Sequence, residues 1–287
     1  MKKIVITGGK GGCGKTTVAA SLAYLSKNWV IADCDVDSPN LGILAQPTIE
    51  GKHSFKGTSF KIDLNSCKQC GLCRDKCAYG AIDEHYIIDP ILCESCGYCK
   101  VLCNFGAIDE TEVEIGYWRD GSSRFGPFFD AYLYPGAENS GKLVTLLREK
   151  AEKRAEQSDA HGVIIDGPPG IGCPVIASIT GTDLAIAVAE PTISGLHDVS
   201  RIVELSSTLK SPVGLLINKA DISSVKEAEL RTFAKDNNIE ILGALPYEPM
   251  ANKAQSAMKT MVEYAPEGDY AIEMGIIWNK ILALLGE

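Results

Sequence analysis

The chain has 287 residues, a formal net charge of −9 and an apolar content of 45%. That length suits one α/β domain carrying a small insertion, and the acidic balance excludes a broad electrostatic grip on nucleic acid. No apolar run reaches the roughly 20 residues that span a bilayer, and the short charged N-terminus leads into a glycine loop rather than a signal peptide. These features predict a soluble cytoplasmic protein with no membrane insertion. In such a compartment, eleven cysteines argue for metal rather than disulfides.

The first element is an apolar strand, Lys3 to Thr7, followed by GGKGGCGKTT and an Ala/Leu-rich helix from about Lys15 to Ser26. Gly9, Gly11, Gly12 and Gly14 let backbone N–H groups, that of Cys13 included, converge on anionic oxygens at the positive end of a helix. Lys15 then reaches the terminal phosphates and Thr16 coordinates magnesium, with Thr17 closing the nucleotide-binding run. A second lysine, Lys10, stands early in the loop. The string GKGGCGKT resembles the deviant P-loop of the MinD/ParA/Mrp and nitrogenase iron protein group. In that group the early lysine crosses a dimer interface to touch the partner's nucleotide. The resemblance therefore implies a nucleotide-sandwich homodimer in which Lys10 is catalytic in trans; a solvated loop lysine is the plainer reading.

The strand Trp29 to Asp33 ends in DCDVD. By the same resemblance Asp33 belongs near the magnesium shell and Asp35 orients the attacking water, while Asp37 reads equally well as a helix or turn cap before Ser38 and Pro39.

Next come two cysteine runs of identical spacing, CxxCxxCxxxC: Cys67, Cys70, Cys73, Cys77 and Cys93, Cys96, Cys99, Cys103. They belong to a repeat of 26 residues whose halves, CKQCGLCRDKCAYGAIDE and CESCGYCKVLCNFGAIDE, agree at ten of eighteen positions. Four thiolates so close suit an iron–sulfur cluster and are too crowded for separate disulfides. Zinc knuckles, the alternative, use CxxC pairs separated by longer loops. From about Thr58 to Ile115 the chain resembles bacterial two-cluster ferredoxins. That resemblance implies two [4Fe–4S] clusters ligated crosswise, one by Cys67, Cys70, Cys73 and Cys103, the other by Cys93, Cys96, Cys99 and Cys77. Ala78 and Asn104 stand where the family usually has proline.

After the insertion, GAENSGKLVTLLREKAEKRA predicts a helix capped by Asn139 or Ser140, with Leu143, Leu146 and Leu147 on its apolar side. The phrase also resembles a segment of MinD-superfamily ATPases that carry a ferredoxin module, and with it the resemblance covers nearly the whole chain. VIIDGPPG follows, where Asp166 is implied to be a water-mediated magnesium partner at the start of a switch; Pro168 and Pro169 stiffen it and Gly170 lets it turn. The strand from Pro212 to Ile217 ends in Asn218, Lys219, Ala220 and Asp221. NKxD reads guanine in GTPases, whereas the MinD-like group places an asparagine here for adenine. Lys10 and the PPG switch favour ATP, with Asn218 and, in LPYEP, Pro246 beside the base.

The predicted fold is α/β: a P-loop NTPase with a mainly parallel sheet covered by helices on both faces, plus an inserted ferredoxin-like α+β domain. The ATPase takes residues 1–54 and 117–287, and the insertion 55–116. Cys13 and Cys34 read as buried fillers. Cys173 lies seven residues after Asp166, the offset of an interfacial cluster ligand in the nitrogenase iron protein, but no second loop cysteine precedes Asp166 to complete such a site. His53, His85, His161 and His197 show no ligand spacing. The expected function is an ATPase coupling a nucleotide-driven dimer switch to electron transfer, with an unidentified redox protein as partner. The alternatives are a redox-sensing positioning or assembly ATPase and a cluster carrier. A carrier wants a CxxC in the C-terminal half, and none follows Cys173.

Overall fold

The computed structural model describes residues 1–137 and 141–286. In chain order the elements are β1 (Lys2–Gly8), α1 (Lys15–Leu25), β2 (Trp29–Asp33), α2 (Leu41–Ala45), β3 (Thr48–Ile62), α3 (Leu72–Asp75), α4 (Tyr98–Leu102), β4 (Ile108–Ser123), β5 (Gly126–Leu133), α5 (Lys142–Gln157), β6 (Gly162–Pro169), α6 (Cys173–Ile179), β7 (Leu184–Ala189), α7 (Ile193–Thr208), β8 (Val213–Asn218), α8 (Ser224–Asp236), β9 (Glu240–Leu245), α9 (Ala251–Ser256), α10 (Met261–Tyr264) and α11 (Asp269–Leu285).

Two compact units result. The larger holds Met1–Lys52, Trp118–Tyr132 and the described residues from Gly141 onward. The smaller holds His53–Tyr117 and residues 133–137.

In the larger unit the pairs β5·β2, β2·β6, β6·β1, β1·β7, β7·β8 and β8·β9 are all parallel. The continuous apolar runs of β1, β2, β6, β7 and β8 follow from burial on both faces. The strand order is β3-β4-β5-β2-β6-β1-β7-β8-β9, so the chain is an α/β P-loop fold with a mostly parallel sheet flanked by helices. The edge by β5 departs from that pattern, because β4 enters β5 through only Arg124 and Phe125, a connection that joins antiparallel strands. β3 and β4 each contribute residues to both units.

One core packs α1 and α11 against the sheet, with Trp29 and Trp278 edge to face at 5.5 Å. Ile4, Ile6, Ile31, Ile164 and Ile186 come from the strands and Leu22, Met274, Ile277 and Ile281 from the helices. A second cluster, around Leu215, Ile217, Leu230 and Ala234, seats α8. Helix α5 begins at Lys142 after Gly141, which takes φ 82°; the expected caps, Asn139 and Ser140, lie outside the described residues.

The smaller unit has a modest core of Phe60, Ile62, Ile82, Tyr86 and Ile108, against which Cys67, Cys73, Cys77, Cys99 and Cys103 pack. Among the described residues no helix is long and apolar enough to cross a membrane.

Candidate functional site

The loop between β1 and α1 opens beyond the carboxyl end of β1, where parallel α/β sheets receive ligands. It borders a cavity of about 590 Å³ lined by Gly11, Gly12, Gly14, Lys15, Thr16 and Thr17 on the loop side. Gly14 needs to be glycine twice over: its φ is 96°, and a Cβ would stand 2.2 Å from the Asn218 amide nitrogen. That amide donates to the Cys13 carbonyl at 2.8 Å, so the end of β8 props the loop from below. Lys15 is buried and donates to the Lys10 carbonyl at 3.2 Å, curling the loop around its own ammonium.

Carboxylates crowd the ends of three neighbouring strands. Asp33 is in register with Asp166 on β6 and with Asp130 on β5. Asp33 accepts from the backbone N–H of Leu41 at 2.9 Å and of Asp35 at 3.3 Å. Full burial, then the charge of Asp166, pushes its pKa well above the usual carboxylate range. Asp166 is pushed up to about 7, chiefly by burial. The Thr16 hydroxyl lies close enough to favour the ionised form, yet neither Asp166 oxygen completes a hydrogen bond. Two orphaned buried acceptors beside Thr16 and Lys15 are the donor set a hard divalent cation wants. Burial also raises Asp35, against the pull of Lys15; this residue lines the cavity with Asp37, Ser38 and Asn40. Asp130 is satisfied differently, by a two-point clamp from Arg119 at 2.8 and 2.5 Å.

Lys10 does not line the cavity. Its Nζ stands 3.1 Å from a Glu190 carboxylate oxygen and donates to the Ser194 hydroxyl at 3.4 Å. The other Glu190 oxygen receives Lys219, which also donates to the Gly12 carbonyl at 3.2 Å. Partial burial opposes ionisation of Glu190, but Lys219 and Lys10 hold its pKa below the usual range. Within one chain, the lysine expected to act in trans is thus held in cis.

The cysteine runs build a second constellation, inside the smaller unit. One cavity is lined by Cys67, Cys70, Cys73 and Cys103 with Ile62, Tyr86 and Ile108. Another is lined by Cys77, Cys93, Cys96 and Cys99, with Cys73, Phe60 and Tyr98. Both runs therefore contribute to each cavity: Cys103 joins the first three thiols of the first run, and Cys77 with Cys73 joins the first three of the second. The sequence repeat recurs in the backbone: positive φ falls at Gln69 and Ser95, at Gly71 and Gly97, and at Gly80 and Gly106. Cys77 Sγ accepts from Ala81 N–H and Cys103 Sγ from Ala107 N–H, both at 3.4 Å. Burial raises the Cys73 thiol, as do its neighbours Cys67 and Cys103; burial and then Cys93, Cys73 and Cys96 raise Cys99. Among the described residues no group of three or more His, Cys, Asp or Glu side chains is placed to hold a single metal ion.

The sequence matches the family described as the CobQ/CobB/MinD/ParA nucleotide binding domain over residues 4–261. The chain belongs to this family. It is 39% identical over 229 residues to the uncharacterized protein MJ0578 of Methanocaldococcus jannaschii, covering 78% of this chain and 80% of that protein. It is 25% identical over 265 residues to the septum site-determining protein MinD of Bacillus subtilis, covering 88% and 79%. In fold it is similar to the septum site-determining protein MinD from Pyrococcus horikoshii, solved with Mg-ADP, with a TM-score of 0.61 at 16% identity, covering 100% and 98%. Family membership and the P-loop geometry make the chain a MinD/ParA-type ATPase.

Against that MinD/ParA frame, the sequence-derived residues fall into two sets. Lys15, Thr16, Asp35, Asp33 and Asp166 gather at the cavity or directly behind it. Asn218 and Pro246 do not wall it: the Asn218 amide is engaged beneath the loop, and the cavity's far wall is instead Ala251, Asn252, Ala254, Gln255, Lys259, Thr260 and Met261. Sequence reasoning missed that wall. Its one local signal is Thr260–x–x–Glu263, which forms a capping box on α10. Asp221 accepts the Tyr247 backbone N–H at 2.6 Å, fastening the chain after β9. Cys13 and Cys34 are buried; Cys173 is exposed at the start of α6.

Proposed function

We propose that this protein is an ATP-driven switch whose nucleotide cycle is coupled to one-electron transfer through two [4Fe–4S] clusters. The observation that carries the reading is the pair of cysteine-walled cavities, one lined by Cys67, Cys70, Cys73 and Cys103, the other by Cys93, Cys96, Cys99, Cys77 and Cys73, so that both runs contribute to each, in a chain that also holds a MinD/ParA nucleotide site. The N–H groups of Gln69, Ala81 and Ala107 each stand 3.4 Å from a cysteine sulfur, the kind of N–H···S contact that tunes a cluster's potential. When bound, such clusters supply one-electron chemistry at potentials set by hydrogen bonds and exposure. Residues 55–116 are accordingly assigned to an inserted ferredoxin-like domain, with residues 1–54 and 117–287 as the ATPase.

At the nucleotide site Lys15 neutralises the terminal phosphates and Thr16 holds magnesium. Asp33 and Asp166 complete the magnesium shell directly or through water, and Asp35 positions the attacking water. The Mg-ADP in the Pyrococcus MinD structure supports an adenine nucleotide, as does the use of Asp221 by Tyr247, which occupies the carboxylate a guanine reader needs. The base is assigned to the 251–261 wall. Asn218 contributes by fixing the loop, and Pro246 keeps no role. Lys10 is assigned to the partner's nucleotide in a homodimer, exchanging Glu190 for phosphate when the dimer closes.

A second reading, an ATP-controlled positioning or assembly switch that senses redox state, is favoured by the similarity to septum-site MinD proteins. Anaerobic potentiometry without nucleotide, with ADP and with a non-hydrolysable ATP analogue separates the two. A tenfold preference of nucleotide for one redox state shifts a one-electron potential by about 59 mV. Shifts of tens of millivolts are expected; potentials indifferent to nucleotide would move the sensing switch into first place.

A further inference from the structure

Arg124 is the first residue of the two-residue connection between β4 and β5, and neither the phosphate chemistry nor the cysteine sites call on it. Its guanidinium nonetheless makes four hydrogen bonds. Nε donates to the Leu44 carbonyl at 2.7 Å, at the C-terminal turn of α2. Nη1 and Nη2 donate to the two Glu263 oxygens at 2.5 and 2.8 Å, and Nη2 also reaches the Met258 carbonyl at 3.3 Å. Glu263 is the acid of the α10 capping box, accepting from Thr260 N–H at 2.8 Å and from the Thr260 hydroxyl at 2.9 Å. Partial burial works against its ionisation, but Arg124 and Thr260 keep its pKa below the usual range.

What Arg124 joins matters more than how many bonds it makes. Leu44, at the end of the segment that carries Asp35, Asp37, Ser38 and Asn40, lines the nucleotide cavity, as do Lys259, Thr260 and Met261 from a distant part of the chain. Arg124 itself does not line the cavity. It ties the two lining segments together, gripping Glu263 with a two-point fork and the Leu44 carbonyl with Nε–H, and the planar guanidinium fixes their spacing more tightly than a point charge does. The Gln46 amide donates to the same Met258 carbonyl at 3.1 Å, so a neutral bond accompanies the charged one.

Arg124 is also the residue immediately after β4, the strand that carries Ile108–Tyr117 of the cysteine-rich unit and Trp118–Ser123 of the ATPase unit. Any change in wall spacing on nucleotide binding pulls on the end of that strand. We infer that Arg124 is a positioning residue that sets the spacing of the cavity walls and carries nucleotide occupancy into β4. This deepens the coupling reading above and rests on it for the purpose such a relay would serve.

The test uses the full-length protein and the variants Arg124→Ala, Arg124→Lys, Glu263→Gln and the reversed pair R124E/E263R. Binding of a fluorescent ATP analogue, steady-state hydrolysis, and hydrogen exchange of the Trp118–Ser123 amides with and without nucleotide are read for each. Arg124→Ala is expected to raise KM about tenfold while kcat changes less than threefold. Arg124→Lys and Glu263→Gln fall between it and the parent, and the reversed pair recovers part of the loss. Nucleotide should slow exchange in Trp118–Ser123 of the parent and not of Arg124→Ala. If Arg124→Ala fails to fold, Arg124→Lys and Glu263→Gln carry the same comparison. Parental KM in the folded variants, or nucleotide protection of β4 that survives the substitutions, overturns the inference. Protection of β4 lost on substitution, in a protein whose cluster potentials ignore nucleotide, upholds the relay and defeats electron-transfer coupling instead.

Discussion

The nucleotide site and the cysteine sites are built by opposite strategies. The first draws residues from along almost the whole chain: the parallel strands β1, β2 and β6 bring Thr16, Asp35 and Asp166 to one end of the sheet, and Thr260, just before α10, lines the same cavity as Thr16 and Asp35. The second is local and duplicated, with every thiol supplied between Cys67 and Cys103. A site assembled from distant residues inherits the stability of a deep apolar core. A site in a small unit whose core cluster is Phe60, Ile62, Ile82, Tyr86 and Ile108 has little apolar burial to draw on and, on the proposed reading, would lean on the clusters its thiols hold. The teaching is that the two halves should fail separately.

The sharpest way to break this contrast is to strip iron anaerobically with a chelator. The cysteine-rich unit should lose its fold, read as rapid protease cleavage within residues 53–117, while the ATPase unit keeps its cooperative melt. One shared transition would refute the separation. Next in size, Lys15→Ala should lower hydrolysis by about 10²–10³-fold, the scale for removing one preorganised charge from a reacting oxyanion, with iron content unchanged.

Asp166→Asn sharpens the comparison through pH. The folded-state pKa of Asp166, about 7, lies above its unfolded value, so the folded chain binds the extra proton between about pH 4 and 7. Stability from this group is therefore greatest at the acidic end and is lost as pH rises toward 7. In magnesium-free buffer at pH 8 the asparagine variant should melt higher than the parent by a few degrees, with the gain vanishing near pH 5, yet with magnesium present it should hydrolyse nothing measurable. The smallest expected effect is Lys10→Ala: hydrolysis about tenfold slower and ATP-dependent dimerisation weakened, measured by sedimentation, with cluster content intact. Undiminished turnover would remove Lys10 from the mechanism.

The same contrast explains what the sequence disclosed. Which cysteines would line the two thiol cavities was legible because the runs lie within 26-residue repeats that resemble two-cluster ferredoxins, and the glycine loop because strand, loop and helix are contiguous. Asp33, Asp35 and Asp166 were readable through resemblance alone, since nothing local says that Asp33 and Asp166 will be strand neighbours. The 251–261 stretch that lines the cavity was not anticipated, because Asn252, Gln255 and Lys259 look like an ordinary solvated helix face. Asn218 was read as a base contact although the tightness at Gly14 turns its amide toward the Cys13 carbonyl. Arg124 carried no signal at all: its partners, Leu44, Met258 and Glu263, are as many as 139 positions away.

The crossed walls of the two thiol cavities also bear on how such a chain can change over generations. Cys103 closes the cavity begun by Cys67, Cys70 and Cys73, and Cys77 closes the one begun by Cys93, Cys96 and Cys99. Excising one repeat would therefore spoil both cavities instead of leaving a smaller working one. Once a duplication interleaves its halves in this way, descent can lose the pair or keep the pair, but has no viable halfway form.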